Sequence, residues 1–320
     1  MSKLLLIDGN AIVHRAYHAL PPLINPKGEV INAVYGFFSM LLNVLADQKP
    51  DYLVVCFDRS KPTIRQAMFT GYHEHRPKAS DDFISQMDSI HKILEQTKIA
   101  IFELDGYEGD DLIGTLAAKA VKITSDQLPM TNKKQNRERL LNTDHFALDI
   151  IILTGDRDML QLVNDHVNVL MPLVGITKTQ LFDTTKVKEK YGVRPDQFID
   201  YKALIGDQSD GYPGVSGIGP KTAADLLQKY ETFENLYQHV DELPEKIGLK
   251  LATDAEQAAL AKKLATIITD APIQFDIRQC ACKDFDVKAL RQSFQEQGFK
   301  SLLGRVDTVF GKEEEQLGLL

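Results

Sequence analysis

Cysteine is scarce: three residues in 320, Cys56, Cys280 and Cys282. The number is too small and too odd for a disulfide framework, and the Cys280-Ala281-Cys282 pair cannot alone furnish four zinc ligands. All three read as reduced thiols. Long apolar runs are missing as well. The stretch after Met1 meets Asp8 almost at once, and nothing approaches the roughly 18 apolar residues of a membrane span. The expectation is a folded, cytoplasmic protein with neither signal peptide nor membrane anchor. Basic charge is in deficit, 37 Lys and Arg against 45 Asp and Glu for a net −8, which taken alone speaks against nucleic acid as a partner. Also absent are a P-loop, a G-x-G-x-x-G turn, a G-x-S-x-G elbow and an H-E-x-x-H helix, so the chemistries those motifs carry have no foothold. What is present is ordinary: 43% hydrophobic and 26% charged residues, enough for a full core, in a length that suits roughly two domains.

Leu4-Leu5-Leu6-Ile7 is a short apolar run stopped by Asp8-Gly9-Asn10, the pattern of a buried parallel strand. The design recurs at Tyr52 to Phe57 before Asp58, at Ile99 to Leu104 before Asp105, and at Ile150 to Leu153 before Thr154-Gly155-Asp156. Helical periodicity separates these runs, over Ala33 to Leu45, Phe83 to Gln96 and Asp111 to Val121. Strands alternating with helices predict an α/β domain with a parallel sheet and helices on both faces. A polar stretch from Thr124 to Asp144 reads as a mobile surface loop. After a last strand near Val167 to Met171 the pattern turns helical through Leu303, and the tail from Asp307 to Leu320 is expected to fray. The divisions are 1–175 for the α/β domain, 176–306 for a mostly helical domain and 307–320 for the tail.

In an open α/β sheet the ligand crevice lies outside the carboxyl ends of the strands. Asp8, Asp58 and Asp156 fall there by position. Glu108, Asp110 and Asp111 open a helix, Asp158 follows Asp156, and Asp207 and Asp210 repeat the i, i+3 spacing. Any one of these could be an ordinary helix cap. Together, like charges in one cleft repel unless a cation compensates them. Oxygen donors without His or Cys select hard divalent ions such as Mg²⁺ or Mn²⁺. Two such ions would polarise a phosphodiester and activate water without a protein nucleophile. With those nine acids set aside, the rest of the chain carries net +1, so the acidic total is no obstacle to DNA.

Two segments suit phosphate. Gly214 to Ala223 is a glycine hairpin opening a helix, with Gly217, Gly219, Pro220, Lys221 and Thr222 at its turn. Glycines allow close backbone approach, and a helix N-terminus offers free N–H groups. Arg59 to Lys78 carries five Lys and Arg against one acid, Glu74, with Phe69 and Tyr72 interleaved, a mixture that suits a single strand.

These pieces, in this order, resemble the 5′ nuclease family: the 5′ to 3′ exonuclease domain of bacterial DNA polymerase I and the flap endonucleases. Leu-Ile-Asp8-Gly-Asn, Arg15 to Leu20, Gly106 to Asp111, the Asp156/Asp158 pair and Gly206 to Ala223 carry the likeness, which spans Leu4 to about Val306. The resemblance implies a PIN-like α/β domain followed by a helix-hairpin-helix (helix-three-turn-helix), and a Mg²⁺-dependent, structure-specific 5′ to 3′ exonuclease and 5′-flap endonuclease. Its partners would be DNA with 5′ flaps or ends and RNA primers, in replication and repair. It implies that the nine acids bind two metal ions directly or through water, that Tyr35 stacks on the reacting nucleotide, and that Arg15, Gly217, Gly219, Lys221 and Thr222 bind DNA, with K⁺ at the hairpin. The region 59–95 would be a helical arch carrying Arg65, Tyr72, His73 and Arg76 as catalytic residues.

His73 departs from the lysine that usually follows the tyrosine. The chain stops where a polymerase would continue, so it is expected to be either a stand-alone nuclease or a fragment of a longer polymerase, and a monomer. Two rival readings are an aspartyl-phosphate phosphatase, disfavoured by Asn10 where a second Asp is wanted, and a catalytically dead DNA-junction binding module, disfavoured because all nine acid positions are filled.

Overall fold

The computed structural model describes residues 2–74, 79–123 and 148–311. Its centre is a six-stranded sheet of order β3-β2-β1-β4-β5-β6. The strands are β1 (Ser2–Asp8), β2 (Tyr52–Cys56), β3 (Ala100–Phe102), β4 (Leu148–Leu153), β5 (Val167–Val174) and β6 (Lys178–Phe182). The first five are mutually parallel, with Leu4 opposite Tyr52 on one side and Ile150 on the other. The apolar runs are unbroken because both faces of the sheet are covered. Leu4, Leu6, Val54, Cys56, Ile150 and Ile152 face one hydrophobic cluster, and Leu5, Ile7, Leu53, Val55, Ile151 and Leu153 face the other.

The second cluster is closed by α1 (Gly9–Ala19), α2 (Asn32–Gln48) and α4 (Asp81–Gln96). The first is closed by α5 (Gly109–Val121) and by the later helices α7 (Phe198–Ile205), α8 (Pro220–Tyr230) and α11 (Ala255–Ala265). The short α3 (Ile64–Met68) follows β2, and α6 (Thr184–Tyr191), α9 (Phe233–Gln238) and α10 (Glu245–Thr253) complete the helical region. The last two helices, α12 (Val287–Glu296) and α13 (Lys300–Phe310), return to the second cluster, where Leu290, Phe294, Leu302 and Val306 pack with residues of α2 and α4. No helix among the described residues is long and apolar enough to cross a membrane.

Three elements differ from the sequence expectation. The sheet is mixed: β5 extends to Val174, turns at Gly175 with φ +60°, and pairs antiparallel with β6. Lys178 to Phe182 is a half-exposed edge strand, too short to separate from helix by its apolar pattern. Within the helical region, β7 (Gly206–Asp207) and β8 (Tyr212–Pro213) form a small antiparallel ribbon. The tail does not fray at Asp307, because α13 continues to Phe310. Val309 and Phe310 pack against the second cluster and Arg291 pairs with Asp307. The remainder of the tail and the 124–144 loop lie outside the described residues.

Candidate metal centre

The chain moves from β1 to β2 and β3 on one side, then crosses to β4 on the other, so the switch point lies between β1 and β4. Asp8 ends β1 there and caps α1. Its Oδ1 accepts from the Ala11 amide at 3.0 Å and its Oδ2 from the Thr154 hydroxyl at 2.7 Å. Burial nevertheless pushes its carboxyl up to about 7, with Asp156 and Asp58 adding to the effect. Asp58, just beyond β2, accepts from the Gly109 amide at 2.6 Å and is thereby tied to the start of α5.

Glu108 is the N-cap of α5 and forms a capping box with Asp111. Thr63, Arg65 and Tyr72 donate to its carboxylate at 2.7, 3.2 and 3.0 Å. Burial raises its carboxyl, and Arg65 opposes the rise. Asp110 is also raised by burial, with Asp111, Glu108 and Asp156 adding to it.

Asp111 is fully engaged. Its Oδ1 accepts from Arg65 Nη2 and the Ile268 amide, both at 2.8 Å, and its Oδ2 from Arg65 Nη1 at 2.8 Å and the Glu108 amide at 3.2 Å. Arg65 is 3% exposed, and it also donates to the Leu264 and Thr266 carbonyls at 2.9 Å. Every guanidinium N–H direction is thus spent inside the protein.

A second group forms around a residue the sequence reading did not single out. Lys202, inside the apolar α7, places its ammonium 2.5 Å from Asp158 and in contact with Asp207. Asp158, Asp207 and Asp210 each present an oxygen within 4.8 Å of the others. Burial, then Asp156, pushes the Asp158 carboxyl up to about 8. Against the cost of its own burial, Lys202 holds Asp207 below the usual range. The β7–β8 ribbon supplies Asp207 and Asp210, and the Ser209 amide fixes Asp207 Oδ1 at 2.7 Å. Asp156 links the two groups: its charge raises Asp110, and it is itself raised first by burial and then by Asp210 and Asp207. The only sequence signal for Lys202 was a lone cation in an apolar run five residues before Asp207.

The described part of the basic segment lies against these acids. Tyr72 is buried and stacks on His73 at 3.9 Å between ring centroids. His73, at φ +60°, sets Nε2 3.2 Å from Asp210 Oδ1. Arg59 and Lys61 pair with Asp105 at 3.1 and 2.5 Å. Arg76 lies outside the described residues. An open cleft of about 1030 Å³ joins Asp156, Asp207 and Asp210 to Arg15, Arg157, Lys202 and Pro220. Arg15 Nε donates to the Gly175 carbonyl at 2.9 Å. Tyr35 is not among the described residues lining that cleft; its hydroxyl is 3.0 Å from Ser301 Oγ and its ring meets Phe299 edge-on. The hairpin projects Gly217, Gly219 and Lys221 to solvent and half-buries Thr222.

Two family models match this chain: the 5′-3′ exonuclease N-terminal resolvase-like domain over residues 3–135, and the 5′-3′ exonuclease C-terminal SAM fold over 193–288. A 5′-3′ exonuclease of Aquifex aeolicus is 34% identical over 99% of each chain. The chain belongs to the 5′-3′ exonuclease family, with the nuclease domain of bacterial DNA polymerase I and the related flap endonucleases. DNA polymerase I of Bacillus subtilis is 38% identical over 99% of this chain, which spans 34% of that protein's length. Among solved members of the fold, phage T5 5′-exonuclease with bound divalent metal ions has a TM-score of 0.63 at 17% identity, covering 92% of this chain and 99% of that one. The catalytic core of Rad2 in complex with DNA has a TM-score of 0.54 at 14% identity, covering 96% and 92%. At such identities the family fold is what is shared.

Proposed function

We propose that the protein is a Mg²⁺-dependent, structure-specific nuclease that trims 5′ ends and cuts 5′ flaps on DNA, and removes RNA primers, in replication and repair. The observation that carries this reading is the convergence of carboxylates from separate segments on one crevice, with Asp158, Asp207 and Asp210 inside 4.8 Å. The donor set fits a hard divalent ion. It is all oxygen, burial raises several of its carboxyls, and an ammonium already offsets part of the charge. Bound there, two Mg²⁺ ions, or Mn²⁺ in their place, would supply Lewis-acid polarisation of the phosphodiester and an activated water.

The chain's own residues hold and orient. Asp8, Asp58, Glu108, Asp110, Asp156, Asp158, Asp207 and Asp210 are the proposed ligands, directly or through water. Asp111, with its acceptor sites filled, acts with Arg65 and Tyr72 to fix Glu108. Lys202 offsets the repulsion between Asp158 and Asp207. Tyr35 stacks on a nucleotide, while Arg15, Gly217, Gly219, Lys221 and Thr222 hold backbone phosphates. His73 and Arg76 act beside the scissile phosphate. A K⁺ ion at the hairpin would depend on its remaining carbonyls, because those of Gly214 and Gly217 already accept from Gln257 and Lys250.

The test is a 5′-flap duplex incubated with the protein and Mg²⁺, beside an EDTA control and an Asp110→Asn variant. Cleavage at the junction is expected with Mg²⁺ alone and is largely lost in both controls. Tight binding without any metal-dependent product would leave only a junction-binding module.

A further inference from the structure

The hairpin that opens α8 is held from outside its own two helices. Three side chains spaced at i, i+4 and i+7 across the α10–α11 junction each take one backbone atom of it. Lys250 Nζ donates to the Gly217 carbonyl at 2.7 Å, Asp254 Oδ2 accepts from the Ser216 amide at 2.7 Å, and Gln257 Nε2 donates to the Gly214 carbonyl. Asp254 is the hinge of this brace, since it closes α10 and opens α11. Ser216, Gly217, Gly219, Pro220 and Lys221 are exposed, so the brace fixes the hairpin while leaving its apex open.

Lys250 is the unusual member. Lys202 and Lys262 are each neutralised by two carboxylates, whereas Lys250 has no ion pair among the described residues. Its nearest acid in the brace, Asp254, is turned to the Ser216 amide. An ammonium carries three N–H donors, and a single carbonyl bond leaves two of them at the solvent-facing apex. Glycine at 217 makes this docking possible: a Cβ there would collide with Lys250 Nζ, and φ is +74°.

We propose that Lys250 is a further DNA-backbone contact of this protein, a cation delivered to the hairpin apex by α10 and aimed by the Gly217 carbonyl at the phosphate the hairpin holds. The proposal rests on the reading of the hairpin as a duplex grip. Phosphate binding releases counterions, so each lost contact lowers the log–log salt slope of the affinity by about 0.9.

The test measures full-chain binding to a fluorescent 5′-flap duplex in Ca²⁺, across a salt series, for wild type and the variants Lys250→Met, Lys250→Arg and Lys221→Ala. Lys250→Met is expected to weaken binding about fivefold to tenfold and to lower the slope by about one contact's worth, and Lys250→Arg to keep the slope. If Lys221→Ala weakens binding while Lys250→Met leaves both affinity and slope at wild-type values, the role of Lys250 is overturned and the grip survives. If neither variant changes binding, the hairpin is not the grip and both readings fall. A weaker Lys250→Met with an unchanged slope would reduce Lys250 to a structural strut, which also overturns the proposal.

Discussion

At the scale of single residues, the two cations inside the acid cluster decide what each carboxylate can do. Arg65 carries the bidentate pairing that suits a planar guanidinium and an ammonium cannot copy. Removing one partner of a buried ion pair costs about 3–5 kcal/mol because the other charge is stranded. Arg65→Ala should therefore lower the unfolding free energy obtained from urea titration by an amount in that range, with a lower midpoint, and Arg65→Lys should recover only part of it. An unchanged midpoint with lost cleavage would mean that Arg65 touches substrate instead. His73 offers a second test. Its imidazole nitrogen lies 3.2 Å from Asp210, so His73→Ala should lower the cleavage rate with little change in stability, and an unchanged rate would count against a role beside Asp210. The acids themselves were readable from sequence, because each follows an apolar run or opens a helix. Their counter-cations were not. Arg65 lies in a basic, aromatic segment that reads as a DNA contact, and Lys202 is one charge in an apolar helix. Only the folded chain shows that both point inward.

At the scale of elements, the parallel strands announced themselves as unbroken apolar runs, because burial on two faces removes alternation. The same physics hid β6 and the β7–β8 ribbon, which are short, partly exposed and carry no such run. It also hid the destination of α12 and α13. Their amphipathic pattern is plain, but periodicity does not say which face of the sheet they cover. Leu290, Phe294, Phe299, Leu302 and Val306 are all buried against the second cluster. Five such side chains contribute about 1.5–3 kcal/mol each, together comparable to the roughly 5–15 kcal/mol that holds a typical protein folded. A chain ending at Asp286 should accordingly lose its cooperative thermal transition and bind a hydrophobic dye. A truncated protein melting within a few degrees of the full chain would show that these helices are appended rather than integral.

At the scale of the whole molecule, the cluster makes stability depend on pH in a direction opposite to that of most surface carboxylates. Asp8 is raised to about 7 and Asp158 to about 8, in both cases chiefly by burial. Asp207 is held low by Lys202. A raised carboxyl binds its proton more tightly in the native state than in the unfolded chain. The native form therefore holds more protons between about pH 4, the unfolded value, and pH 7 to 8, and its stability falls with rising pH across that window. Asp8 and Asp158 both act in this direction, and the lowered Asp207 offsets a part of it. A divalent ion reverses the sign, because it binds the carboxylates it deprotonates. In EDTA, the melting temperature should drop between pH 5 and pH 9. In Mg²⁺ it should rise relative to EDTA by more at pH 9 than at pH 5. A metal-free protein that grows more stable over that range, or a Mg²⁺ increment that is the same at both ends, would mean that the carboxylates are already satisfied by Arg65 and Lys202. The crevice would then have no need of the ions on which the proposed chemistry depends.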